Sequence, residues 1–241
     1  MTKILLTLLF VFTSINAINL NEHKYTIEKV TDNEAIIHKG KLTVGQSGII
    51  VHNFSKNKSI IITKAIVKSS SENSSILEFV QSDILKQDSV VNTNLNPKNG
   101  DDFILNNLYK VSLLITPNYD AYKGISRSYS NNFIDSELFA AYLKINNSPV
   151  PSKEDFQDFM SKNNIGTLYI VINKKLYILD SFTFKILHTR DLKLSNNKTS
   201  VPFFTNIKDI KTSAFNWFGQ EKIEDYNKYY SKLIGITDDR K

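Results

Sequence analysis

The chain has no cysteine at all. Disulfides, thiolate-held metals and a thiol nucleophile are therefore removed together, and an exported form would have only its packed core for stability. Glycine is scarce, 8 residues in 241, and no glycine-rich loop of the kind that cradles phosphate occurs. The four histidines, His23, His38, His52 and His188, are never at metal-ligand spacing with one another or with a carboxylate. Each falls near the end of a β-rich run, where a structural histidine is the commoner case. Five basic residues never occur together, and most lysines alternate with Asn, Ser or acidic residues. The formal charge of +6 thus favours a solvated surface over a nucleic-acid patch, and no nucleic acid is expected as a partner.

What the chain does have begins with a leader. Met1-Thr2-Lys3 is followed by a continuous apolar run, Ile4–Thr13, and then by Ser14-Ile15-Asn16-Ala17, which suits a cleavage site. This is the layout of a secretory signal peptide over residues 1–17. The run falls short of the roughly 20 apolar residues a bilayer span needs, although an N-terminal anchor is the competing reading. No later run is long enough to span, so no integral membrane segment is expected after cleavage. The expected place of the chain is outside the cytoplasm, in a periplasm or on the outer cell surface.

The remaining residues alternate in a way that points to an α+β fold. His23–Val30, Glu34–His38, Leu42–His52 and Ser59–Val67 read as short strands parted by turns, with Gly45 and Gly48 bending one arm of a hairpin around the polar turn Asn53–Lys58. Ile76–Val80 resumes the pattern, and the set predicts a small β-meander or barrel. Asn92–Gly100 is the longest turn-rich connector. Beyond it Val111–Ile115 suits a central strand closed by Pro117, and Tyr119–Asn132 reads as an exposed tyrosine-rich loop. Two helices follow. The first carries Leu138, Ala141, Tyr142 and Ile145 on its apolar face behind Asp135 or Ser136 as cap. The second opens at Ser152 and buries Phe156, Phe159 and Met160. Thr167–Ile172, Lys175–Asp180 and Phe184–Thr189 are spaced so tightly that they demand an antiparallel meander, and Glu221–Ile234 predicts a C-terminal helix. The expected divisions are a leader at 1–17, a β-rich subdomain at 18–97, and an α+β subdomain at 98–192. An irregular basic linker with an aromatic cluster and helix fills 193–241.

Chemistry finds little purchase in these residues. Gly45-Gln46-Ser47-Gly48 resembles a serine-hydrolase elbow only superficially, because the second glycine follows the serine directly and strand continues where a helix is required. Asp101-Asp102 reads as a turn that starts a strand, and Asp120 with Glu137 adds too few carboxylates for calcium, which takes about 6–8 oxygens. Glu154, Asp155 and Asp158 sit at a helix N-terminal end, where they complement the dipole. Phe215, Trp217 and Phe218 suit docking of the last helix, or a partner surface. No catalytic residue, cofactor or metal is expected, and the chain reads as non-enzymatic.

Val44–His52, Gly100-Asp101 leading to Tyr109, Leu113–Asn118 with Tyr122, Leu138–Ala141, Asp155-Phe156, Ile165-Gly166 and Asp180-Ser181-Phe182 occur together in this order. The set resembles the N-terminal domain of bacterial plasminogen-binding proteins. Ile134–Glu137 departs from the family pattern, as does the proline-poor Leu85–Asn96, and the long charged C-terminal extension of larger members is missing. The resemblance implies capture of host plasminogen through lysines. Kringle modules hold a C-terminal lysine as a zwitterion in an aromatic groove, and Lys241 ends this chain with both charges. Lys241 is thus the candidate binding residue. The alternative is a periplasmic scaffold of the envelope or the flagellar motor, with partners among those structures.

Overall fold

A computed structural model describes residues 20–80, 95–194, 198–207 and 223–236. The expected leader at 1–17, the expected aromatic cluster at Phe215–Phe218 and the candidate Lys241 lie outside them. The chain has an α+β fold built on two sheets. The first is a closed antiparallel barrel of β1 (His23–Val30), β2 (Glu34–Ile37), β3 (Ser47–Ser55), β4 (Lys58–Ser70), β5 (Ser75–Val80) and β6 (Asp102–Leu105), in the order β1-β2-β5-β4-β3-β6. Alternation drives the closure. Ile27, Ile37, Ile50, Val67, Leu77 and Phe103 all point inward and are buried, and a closed sheet leaves no edge to aggregate. Strand β6 lies beyond the turn-rich connector yet completes the barrel between β1 and β3.

The glycines of the Gly45–Gly48 segment make two separate contributions. Gly45 takes φ +96°, in the left-handed region where other residues are strained. At Gly48 a methyl group would lie 2.4 Å from the Ile104 carbonyl oxygen and 2.6 Å from the Phe103 ring, so the absence of a side chain lets β3 and β6 close.

The second sheet runs β11-β10-β9-β7-β8, from β7 (Val111–Ile115), β8 (Asn132–Ile134), β9 (Thr167–Ile172), β10 (Lys175–Asp180) and β11 (Ile186–Asp191). Strands β9, β10 and β11 form the expected antiparallel meander. Strand β7 is parallel to both β8 and β9, and parallel neighbours require crossover helices. The first is α1 (Tyr119–Ser128), and α2 (Ser136–Ile145) with α3 (Lys153–Lys162) supplies the second. Helix α4 (Tyr226–Leu233) packs beside β9. Because both faces of the sheet are covered, all six residues of β9 are buried.

Two expectations are corrected. The segment read as an exposed loop from Tyr119 contains α1, whose Asn118 side chain accepts from the Ala121 amide and whose Ala121 and Ile125 are buried. Gly124, serines and tyrosines lower its intrinsic helicity, and packing of Ile125 against Leu114 and Tyr169 overrides that deficit. In α2 the buried stripe is Phe139, Ala140 and Leu143, while Leu138 and Ile145 are 56% and 79% exposed. Both faces of that helix are apolar, and the aromatic one won because Phe139 stacks among Phe156, Phe159 and Phe203. Helix α3 is as expected, with Phe156, Phe159 and Met160 buried behind a Ser152–Asp155 capping box. Asp225 caps α4, inside the longer span read from sequence.

One feature of α4 costs stability. The Tyr226, Tyr230 and Ser231 hydroxyls are buried without a hydrogen-bond partner among the described residues. A buried orphan of this kind costs about 1–3 kcal/mol. Tyr226→Phe or Tyr230→Phe should therefore leave denaturant stability unchanged or raise it by roughly 1 kcal/mol. Gly48→Ala should lower it by about 1–3 kcal/mol through overpacking.

Candidate functional site

Three places in the fold concentrate polar groups. The first joins the barrel to the second sheet. Asp180, at the end of β10, is fully buried and is held by donors from both sheets. Its Oδ2 accepts from Ser47 Oγ at 2.5 Å, Tyr109 OH at 2.5 Å and the Ser47 amide at 3.1 Å. Its Oδ1 accepts from the amides of Phe182 at 2.9 Å and Thr183 at 2.7 Å. Thr183 Oγ1 donates in turn to the Gly45 carbonyl at 2.8 Å. Ser47, weighed as a nucleophile, gives its proton to a carboxylate that already takes another from Tyr109. The carboxylate that Ser47 Oγ reaches is shared with Tyr109 and three backbone amides, and the arrangement is a joint between the two sheets. Burial, and then the charge of Asp180, lift the Tyr109 hydroxyl well above its ordinary value.

The second place is the barrel end at the start of β6. Asp101 Oδ1 lies 2.6 Å from His52 Nδ1, and its Oδ2 accepts from the Lys98 amide at 2.9 Å. Asp102 accepts from Lys24 Nζ at 2.9 Å and from the Asn53 amide group. Both acids are spent on the strand start and on neighbouring strands. His38 pairs with Glu28, and His23 stacks on Tyr25. Among the described residues no three of His, Asp and Glu converge as a metal site requires. On α3, Asp155 is the third-position partner of the Ser152 cap, and Asp158 meets Tyr142 and Lys162.

The third place is where an open α/β sheet ordinarily binds a ligand, outside the C-terminal ends of parallel strands at the point where strand order reverses. Here that point is the end of β7, with β8 on one side and β9 on the other. The chain's own residues 198–207 fill it. Ser200 and Phe204 donate their amides to the Pro117 and Thr116 carbonyls at 2.7 and 2.8 Å, and Asn118 Nδ2 donates to the Lys198 carbonyl at 2.8 Å. Phe203 is buried against Phe139, while Phe204 lies against Tyr119 and Tyr122. At the head of α2 the Glu137 carboxylate accepts from the Thr205 hydroxyl and from the amides of Asn206 at 2.6 Å and Ile207 at 3.2 Å. Burial pushes the Glu137 carboxyl up, but these donors outweigh it and hold it below its ordinary value.

Asp180 and Tyr109 received no role from the sequence reading. An acidic residue closing the apolar run Leu176–Leu179 was the signal, and only the fold supplies the partners. The candidate binding residue Lys241 lies outside the described residues.

A family model described as "plasminogen-binding protein pgbA N-terminal" matches residues 22–234. No curated protein and no solved structure matches.

Asp180→Asn should cost at least about 3 kcal/mol in denaturant unfolding, since it replaces charge-assisted hydrogen bonds and turns one acceptor into a donor. The buried tyrosines set an alkaline limit. Tyr109, Tyr226 and Tyr230 all hold their protons well above the ordinary value of 10.0. Their contribution is complete below pH 10 and is lost as the pH rises beyond it, because the unfolded chain ionises first. A melting series from pH 8 to about 12 should show the midpoint falling only above pH 10.

Proposed function

The chain belongs to the plasminogen-binding protein pgbA N-terminal family, and from that premise we propose that it is an exported, non-enzymatic protein that captures host plasminogen through exposed lysines or Lys241. The match over residues 22–234, which spans both sheets and the four helices of the described residues, is the observation that carries this reading. It is supported by the strap at 198–207, which occupies the position where an α/β sheet would otherwise receive a small substrate.

Lysine capture rests on simple chemistry. The zwitterionic end of a chain presents an ammonium and a carboxylate a fixed side-chain length apart, and an aromatic groove with opposite charges at its ends recognises both. On this reading Lys241 supplies both groups. Exposed internal lysines such as Lys29, Lys39 and Lys144 offer the ammonium alone and would bind more weakly. No helix among the described residues is long and apolar enough to cross a membrane.

Plasminogen binding to the immobilised chain should be displaced by a free lysine analogue. Removal of Lys241 should weaken it at least about ten-fold, the loss of one charge-assisted contact. Binding that survives both changes would sink the lysine mechanism. Protease treatment of intact cells tests the location: a chain degraded only after the outer membrane is opened would instead fit a periplasmic scaffold.

A further inference from the structure

The β3–β4 hairpin is longer than the barrel that it belongs to. Strand β3 pairs with β6 only from Gly48 to Val51, and β4 pairs with β5 only from Lys64 onward. The two strands nevertheless stay paired with each other out to Ser55 and Lys58. Residues 53–61 thus form a two-stranded finger with no other strand beside it among the described residues. Such a ribbon is marginal alone, but this one is clamped at its base by buried acids, Asp101 on His52 and Asp102 on Asn53.

Its surface is unusual for a solvated turn. Phe54 is 61% exposed and Ile61 56% exposed. Phe54 is held edge-on against His52, with ring centroids 4.7 Å apart, which places it on the His52–Ile60 face. Ile61 sits opposite Val51 on the other face. The finger contains Lys56 and Lys58, both exposed and in no ion pair among the described residues, and it has no acid. Lys98 is exposed beside its base, one hydrogen bond from Asp101. A flat protein surface would cover one face of such a finger. A lipid interface surrounds it, takes apolar side chains on either face, and attracts the lysines when the headgroups are anionic.

We propose that this finger docks the chain peripherally on an anionic lipid surface, with Phe54 and Ile61 at headgroup depth and Lys56, Lys58 and Lys98 against the phosphates. The docking is independent of plasminogen capture and uses different residues from Lys241. Three lysines and two apolar side chains give weak, reversible binding, so a second attachment such as a bound partner would strengthen it.

The test is co-sedimentation of the chain freed of the apolar leader at 1–17 with vesicles of phosphatidylglycerol and phosphatidylcholine, against phosphatidylcholine alone. Binding to the anionic vesicles that weakens with added salt is expected, with little to the zwitterionic ones. Each finger lysine removed should lower partitioning about five-fold, so Lys56→Gln with Lys58→Gln should lower it roughly 25-fold. Phe54→Ser with Ile61→Ser should also reduce it, with an unchanged melting temperature because both side chains are exposed. Lys39→Gln with Lys144→Gln, elsewhere on the surface, should change it far less. No binding to anionic vesicles, or finger variants that bind as the unaltered chain does, would overturn the proposal. So would finger variants that lose plasminogen while vesicle binding is absent, which would assign the finger to a protein groove.

Discussion

A carboxylate buried with no cation beside it is tolerable only if hydrogen bonds replace the water it has lost. Asp180 meets that condition through three donors on one oxygen and two on the other. The donors come from three separate places in the chain: the start of β3, the segment before β7, and the turn after β10 itself. Satisfying this one charge therefore fixes the barrel against the second sheet. It also dictates the turn into β11, where Phe184 takes a φ of +57° and donates its amide to the Asp180 carbonyl. Gly166 packs against Leu108 and Tyr109 on the same side, so close that a methyl group there would lie 2.3 Å from the Leu108 carbonyl carbon. The joint is thus shaped by a charge, a tyrosine and two glycines, none of which belongs to a hydrophobic pattern.

That distinction explains what was legible in the residues and what was not. Strand and helix periodicity placed β1 to β5, the antiparallel meander and α3, because each is dominated by burial of one face and burial follows alternation; that β6 joins the barrel depends on long-range pairing. Lys175–Asp180 and Thr167–Ile172 were read with their final boundaries. Helix α1 was hidden because its helicity is not intrinsic: Asn118 caps it and Ile125 anchors it to a sheet face whose existence cannot be read locally. In α2 two apolar stripes compete on one helix, and the choice depends on Phe156, Phe159 and Phe203, which come from other segments. The parallel pairing of β7 with β8 and β9 is likewise a property of crossovers rather than of any strand.

The candidate sites follow the same division. Ser47 could be rejected as a nucleophile from the spacing of its glycines, but its actual task could not be seen without Asp180, 133 positions away. The carboxylates of α3 and the Asp101-Asp102 pair were legible as structural, since caps and strand starts are local. The strap at 198–207 read only as irregular. It carries few alternating residues because its backbone is satisfied by Pro117, Thr116 and Glu137 rather than by a ladder.

With the barrel interior filled by its own side chains and the β7 switch point occupied by residues 198–207, both proposals draw on surface groups, and these differ in what they can hold. A lysine ammonium suits a partner with a matching charged groove. A finger with Phe54 and Ile61 on opposite faces and lysines at its end suits an interface without a preferred direction. The two requirements do not compete for the same residues. A chain that held a lipid surface with the β3–β4 finger would leave the lysines elsewhere on its surface to a soluble partner, and the Asp180 joint would keep the barrel and the second sheet together under that load.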